Sequence, residues 1–450
     1  MSTILERQLL QREEEHARVD KKVSSQNIQA TAEEREMLDR LVIEISSQYR
    51  DELASQSTNR AVLDKKIEAT IQEKTQAMKH IPYEGRKRIE RLAKMNIIGL
   101  GPIQPYLKMP EVTEIVVQRY DNVCVEIKGQ VTKVDASFSD ETNLRNVINR
   151  ILQPVSRQIN LATPIVDARL ADGSRVCATI PPVSPKGATL TIRKFQNERM
   201  NAQEYVRLRT ATPEMISFLR SCVMAKLSMF VSGGTGTGKT TLLNILSGFL
   251  PNNELIVTIE DTLELQLKQD NVRSLETRQS GGDSMMQVDM SALVKASLRM
   301  RPDTIICGEV RDQAVVEFLN AASTGHEGSM CTAHANSPEN LVNVRIPIMM
   351  SRDKDAGFSE ESRALQISEA VQVIVQLKRL RGGRRVISRV TAVNGTKGGR
   401  VNLNDIYVYD EEHDVQNCTW QLPQYIYDKF KAYDVRIDPR FNPVPNVGYV

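Results

Sequence analysis

The residues Gly233-Gly234-Thr235-Gly236-Thr237-Gly238-Lys239-Thr240 constrain this chain more than any others. They follow the apolar run Met229-Phe230-Val231 and open into Thr241-Leu242-Leu243-Asn244-Ile245-Leu246, an order that predicts strand, glycine loop, helix. A glycine, four residues, then Gly-Lys-Thr is the spacing of a phosphate-binding P-loop. The glycines let the backbone wrap closely around phosphate oxygens and turn its N–H groups inward. The helix that follows adds the positive end of its dipole at the same place. Lys239 can reach the terminal phosphates of a nucleotide, and the Thr240 hydroxyl can ligate magnesium. Thr241 closes the nucleotide-holding stretch.

Composition limits what surrounds this loop. A chain of 450 residues exceeds one ordinary core, so two or three domains are expected. With 59 basic and 56 acidic residues the net charge is +3, which argues against a polybasic nucleic-acid binder. Cysteines 124, 177, 222, 307, 331 and 418 are scattered without a CxxC pair and read as reduced thiols. No apolar run approaches the roughly 18–20 residues of a membrane span. The expectation is a cytoplasmic protein whose membrane role, if it has one, is peripheral.

Taken in order, residues 1–95 are expected to be helical. Thr31-Ala32-Glu33-Glu34 has capping-box spacing and leads into Leu38, Leu41, Val42 and Ile45 on one helical face. A second segment runs through Ala61, Val62, Ile67 and Ile71. Residues 96–198 predict a small α/β domain. Its strands are placed near 113–117, 123–127, 164–170, 174–180 and 189–195, with a helix over 141–152 and a hairpin turn at Ala171-Asp172-Gly173. A polar connection over 199–210 follows. In 211–410, strand candidates at 229–232, 255–259, 304–307, 329–332 and 371–377 alternate with helices, the pattern of a parallel sheet covered on both faces. Late runs at 385–393 and 401–409 predict an antiparallel extension. The tail, 411–450, carries the only tryptophan, Trp420, and no function is read from it.

Hydrolysis needs more than a cradle: a group that orients or deprotonates water, and charges that follow the phosphoryl group. Glu260 and Glu309 each follow a strand candidate, and ligands in open parallel sheets bind at the strands' carboxyl ends. His326 and His334 flank Cys331, but no fourth ligand stands at zinc-site spacing. An oriented histidine that contacts the terminal phosphate, or bonds across a subunit boundary, fits this pattern better. No second cation beside Lys239 is evident next to the loop in sequence.

Leu298-Arg299-Met300-Arg301-Pro302-Asp303-Thr304-Ile305-Ile306-Cys307-Gly308-Glu309-Val310-Arg311-Asp312 resembles the signature of the type II/type IV secretion ATPases. The acidic box Ile259–Leu265 and the histidine box Thr324–His334 resemble that family too. The segments 166–175 and 192–195, with Leu275-Glu276-Thr277-Arg278 and Arg381-Gly382-Gly383-Arg384-Arg385-Val386, are similar to its CpaF branch, the motor of Tad/Flp pilus assembly. The resemblance spans roughly 95–410. It implies a homohexameric ring of two-domain subunits with RecA-like motor domains, ATP and Mg2+ as cofactors, and an integral inner-membrane platform protein as partner. No direct nucleic-acid binding is expected. Carried over by position, Glu309 is the Walker B acid, Glu260 the acidic-box acid, and His326 and His334 the histidine-box pair. Arg169, Arg175 and Arg193 fall in the front-domain segments that bring arginines near the phosphates. Gly308 stands where many P-loop enzymes keep a metal-holding aspartate, and Gln118-Arg119 replaces the branch's usual Asn-Gly. Two rivals stay open: a motor of the same fold for conjugative DNA transfer, and a nucleotide-gated scaffold with little hydrolysis.

Overall fold

The computed structural model describes residues 31–49, 52, 60–127, 129–155, 157–170, 172–195, 200–278, 287–352 and 359–447. Residues 1–30, 50–51 and 53–59 of the expected helical region, Ala171 of the expected hairpin turn, and 196–199, where the expected α/β domain meets the connection, lie outside them. The chain divides into two compact units between Asn197 and Glu198.

In the first unit, the helices Ala32–Gln48, Arg60–Ala77 and Tyr83–Ile97 close on a core of their own that includes Leu41, Ile45, Leu63, Ile67 and Ile89. Thr31 caps the first helix: its hydroxyl accepts from the Glu34 amide, and the Glu34 carboxylate accepts from the Thr31 amide. The same carboxylate takes two N–H groups of Arg88, at 3.2 and 2.7 Å, which ties the first helix to the third. On the second helix Leu63 turns inward, and Val62, expected on the inner face, is exposed. One residue along a helix rotates a side chain by about 100°, so a short apolar cluster leaves the inward face ambiguous.

The α/β part follows in the same unit. Its strands are β1 (Val112–Arg119), β2 (Asn122–Ile127), β3 (Gln130–Lys133), β4 (Ile165–Arg169), β5 (Arg175–Thr179) and β6 (Thr189–Arg193). They form an antiparallel sheet in the order β3-β2-β1-β6-β5-β4. The helix Glu141–Leu152, capped by the Asp140 side chain on the Asn143 amide at 2.7 Å, packs Leu144, Val147 and Ile148 into the core shared with one sheet face.

The second unit holds β7 (Met229–Gly233), β8 (Ile256–Glu260), β9 (Val272–Glu276), β10 (Thr304–Cys307), β11 (Met330–Ala333), β12 (Val373–Arg379), β13 (Arg385–Lys397), β14 (Arg400–Asp410) and β15 (Val415–Cys418). They form one nine-stranded sheet, β15-β14-β13-β12-β7-β11-β10-β8-β9. From β12 to β9 every pairing is parallel; from β12 to β15 every pairing is antiparallel. Every residue of β7, β8, β10 and β11 is buried, as strands covered on both faces require. Met229 and Val231 point to one layer, with the helices Pro213–Met224 and Lys239–Ser247. Phe230 points to the other, with Ala314–Ser323 and Glu360–Ala370.

Beyond residue 410 the chain does not trail away. It adds β15, then β16 (Gln421–Pro423), the helix Gln424–Ala432 and β17 (Asn442–Val444). Phe218 of the helix Pro213–Met224 meets the rings of Tyr407, Phe430 and Phe441, at 5.8, 6.1 and 5.2 Å between centroids. Trp420 stacks between Phe441 and the Arg440 guanidinium. Phe430→Ala should therefore destabilise the second unit by about 3–5 kcal/mol, the range for an aromatic core truncation. Denaturant unfolding checks this; an unchanged midpoint would make residues 411–447 an appendage after all.

Candidate active site

The parallel strands set the direction of everything at this site. β7 ends at Gly233 in the middle of the sheet, and its carboxyl end points the same way as those of β8, β10, β11 and β12. The loop can form only without side chains at two places. A Cβ on Gly233 would lie 2.8 Å from the Leu377 carbonyl of β12. Gly238 holds a left-handed φ of +95° at the start of the helix Lys239–Ser247, a conformation that favours glycine. The Lys239 ammonium lies inside the loop, donating to the carbonyls of Gly233 and Gly234 at 3.2 and 3.1 Å. Thr240 and Thr241 stand half-buried on the first helical turn.

Neighbouring strand ends bring the partners. Glu309, just past β10, lies 2.9 Å from Arg311 Nη2 and 3.0 Å from His334 Nε2. His334 follows β11, and both of its ring nitrogens are 3.4 Å from Lys239 Nζ. Burial pushes the Glu309 carboxyl up, but the Arg311 hydrogen bond and the charges of Arg311, His334 and Lys239 outweigh it and hold it below its ordinary value. Burial and the Lys239 charge press His334 below its ordinary value, against the pull of Glu309. His334 Nε2 approaches Glu309 Oε1 closely, yet that buried carboxylate oxygen has no hydrogen-bond partner among the described residues. Burial likewise lowers Lys239, partly offset by Glu309.

Glu260 works from the next strand. It ends β8, is buried, and accepts the amides of Glu264 and Leu265 through Oε1 at 2.9 and 3.0 Å, folding the acidic box over the strand end. A Cβ on Gly308 would come within 2.9 Å of Glu260 Cγ. That contact accounts for the glycine where other P-loop enzymes keep an aspartate: the space is filled by an acid from the adjacent strand.

The family model for the type II/IV secretion system proteins matches residues 96–414. The chain belongs to that family. It is 31% identical to a putative conjugal transfer protein of Mycobacterium tuberculosis (strain H37Rv), over 68% of this chain and 88% of that protein. It is 29% identical to Protein VirB11 of Agrobacterium fabrum, over 62% of this chain and 89% of the other. Among solved structures it is similar to the VirB11 ATPase from the Brucella suis type IV secretion system, with 27% identity, a TM-score of 0.36, and coverage of 64% of this chain and 94% of that one.

Within this type II/IV secretion family member, the structure gathers Lys239, Glu309, His334 and Glu260 at one edge of the sheet. It does not bring His326 there. His326 precedes β11, and its Nδ1 lies 3.0 Å from the Pro302 carbonyl just before β10, at the amino edge of the sheet. Of the two roles expected of such a histidine, contact with the terminal phosphate or a bond across a subunit boundary, His326 does not reach the P-loop of this chain: the length of β11 separates it from His334. Arg169, Arg175 and Arg193 belong to the first unit, where register aligns them in one row across β4, β5 and β6. The row continues into Glu114 and Glu126 on β1 and β2.

The second cation that the sequence hid is also there. Arg385 Nε donates to the Gly236 carbonyl at 2.9 Å, Arg379 reaches the same glycine, and Arg311 sits beside Glu309. The buried Tyr205 hydroxyl lies 3.5 Å from the Gly238 carbonyl. In sequence the stretch Arg381–Val386 is a family-like segment, yet only the pairing of β12 with β7 puts its arginine on the loop. For the His334 imidazole, nuclear magnetic resonance should show a titration midpoint below about 6.5, the ordinary value. Lys239→Ala should move it up by removing a cation, and Glu309→Gln should move it down by removing the anion. Shifts of the opposite sign would separate His334 from this cluster.

Proposed function

We propose that this chain is an ATP-hydrolysing motor of a secretion or conjugation machine. The observation that carries the reading is the meeting of the P-loop Lys239 with Glu309 and His334 at adjoining parallel strand ends. Glu309, held ionised, orients and deprotonates the water that attacks the terminal phosphorus; the bond to the bridging oxygen breaks and ADP leaves. Lys239 offsets the charge that grows on the phosphate oxygens. Thr240 on the first turn and the carboxylate side of the cleft offer hard oxygen donors that suit Mg2+, which when bound neutralises phosphate charge.

The names of the relatives favour secretion or conjugation. The Leu275-Glu276-Thr277-Arg278 segment, the Arg-Gly-Gly-Arg stretch and the front-domain segments favour the finer assignment, the CpaF branch and pilus assembly. With that assignment go a homohexamer, an inner-membrane platform partner, peripheral attachment to the cytoplasmic face of that membrane, and no direct nucleic-acid contact. No described helix is long and apolar enough to cross a membrane, which agrees with attachment through a partner.

Two substitutions test the chemistry. Lys239→Ala should keep the fold and remove most ATP turnover. Glu309→Gln, which keeps shape and loses charge, should still bind ATP-magnesium while turning over very slowly. Phosphate release on the purified protein reads both, and wild-type release no faster than Glu309→Gln would favour the scaffold reading.

The aligned arginines carry the other half of the proposal. A guanidinium fork can meet two equatorial oxygens at once, so a row of three suits a charge spread over a phosphoryl group. At least one of Arg169→Ala, Arg175→Ala and Arg193→Ala should bind ATP yet lose tenfold or more in turnover, about 1.4 kcal/mol. Turnover restored on mixing that variant with Glu309→Gln would place the two groups in different chains; normal turnover in all three would remove the first unit from the active site.

A further inference from the structure

Beside the tip of the P-loop lies a pocket of about 330 Å³ lined by Thr235, Val310, Arg311, His334, Arg345 and Met349. Two of those side chains are guanidiniums and none is a carboxylate. We propose that Arg345, with Arg311, seats the terminal phosphate, either still esterified in the nucleotide or free after its release. The inference rests on the nucleotide-hydrolysing reading above and names a residue that reading does not use.

The backbone at Arg345 is unusual in the right way. Arg345 ends a π-helical turn, Leu341–Arg345, between the short helical pieces Pro338–Asn340 and Ile346–Met350. A π-turn adds a residue to the helical circuit and re-aims the side chains that follow, and such turns recur at functional sites. Here it sends Arg345 back to the end of β11, where Nε donates to the His334 carbonyl at 3.2 Å. The exposed guanidinium is held at one end by that bond, and among the described residues its two Nη groups meet no acceptor. Its reach is set and its fork is left open.

Charge around the pocket points to an anion. Lys239, Arg311 and Arg345 all face His334, with Glu309 the carboxylate that opposes them there. Asp261 and Glu264 of the acidic box also face Arg311, and Glu264 faces Lys239, so the balancing carboxylates come from the acidic box while the pocket wall itself carries Arg311 and Arg345. Thr235 links the pocket to the loop: a phosphate chain cradled by the P-loop amides and Lys239 ends beside Glu309 and His334, and these border the pocket. A tetrahedral dianion with several acceptor oxygens matches two forks better than a carboxylate or a planar ring does.

The test uses the full chain with magnesium, and three probes: ADP, the slowly hydrolysed analogue ATPγS, and inorganic phosphate added with ADP. Arg345→Ala should weaken ATPγS binding tenfold or more while ADP binding changes less than twofold. Arg345→Lys, which keeps charge without the fork, should fall between. If the seat serves free phosphate, inhibition of wild-type turnover by phosphate should need about tenfold more phosphate in Arg345→Ala. A selective loss in either arm supports the seat and says which form of phosphate it holds. Equal loss of ADP and ATPγS in both variants would reduce Arg345 to a brace for the loop, and no change in any arm would empty the pocket of meaning; each overturns the proposal. Wild-type protein that binds nucleotide but does not hydrolyse it would sink the motor reading instead, and the ADP and ATPγS comparison would still judge the pocket.

Discussion

A backbone can hold a phosphate only where it can come close, and it can come close only where side chains are missing. At the centre of the larger sheet this condition is met by Gly233 lying against the Leu377 carbonyl and by Gly238 in a left-handed turn. The first glycine lets β7 pack tightly on β12; the second starts the helix that aims its amides into the loop. Everything else at the site is arranged around that fixed loop. β10 and β11 deliver Glu309 and His334 because parallel strands end on the same side, and β12 delivers Arg379 and the turn toward Arg385 for the same reason. A change that opened the β7–β12 contact would carry Arg379 and Arg385 away from the loop, while β11 and β10 hold His334 and Glu309 from the other side of β7.

The electrostatics follow from this crowding. Lys239, Arg311, Arg345, Glu309 and His334 approach one another at the end of a buried sheet, where charges interact more strongly than in water. Arg311 with its neighbours holds the Glu309 carboxyl below its ordinary value, and burial with the Lys239 charge presses His334 below its own. Glu260 is drawn out of the competition by the two amides it accepts, and its bulk excludes any side chain at residue 308. The two acids are thus unequal: one shapes the loop around the strand end, and the other faces the cleft.

The first unit has a different logic. Its antiparallel register places Arg169, Arg175 and Arg193 opposite one another, a like-charged row that costs stability unless an anion or nearby acids offset it. Glu114 and Glu126 supply part of that balance in the same row. Burial, followed by the neighbouring Glu126, raises the Glu114 carboxyl above its ordinary value, while the Arg193 charge pulls it down.

Local chemistry was enough to write much of this in the sequence. The Thr31 capping box, the Asp140 cap, the strand–loop–helix at 229–246 and the alternation of strands and helices through 377 depend on neighbours a few residues apart, and the residues themselves state them. The motif at Glu309 and the acid at Glu260 could be placed at strand ends because a parallel sheet puts all its carboxyl ends on one side. What depended on distance along the chain was not legible. Residues 411–447 complete the core because Phe430 and Phe441 find Phe218 some two hundred residues earlier. β9 reads as a polar run and becomes a strand only by pairing with β8. His326 and His334 sit in one motif, yet a strand's length carries them to opposite edges of the sheet. Arg385 and Arg345 reach the loop and its pocket only through tertiary pairing and a π-turn, since sequence records the order of residues and packing decides which of them meet.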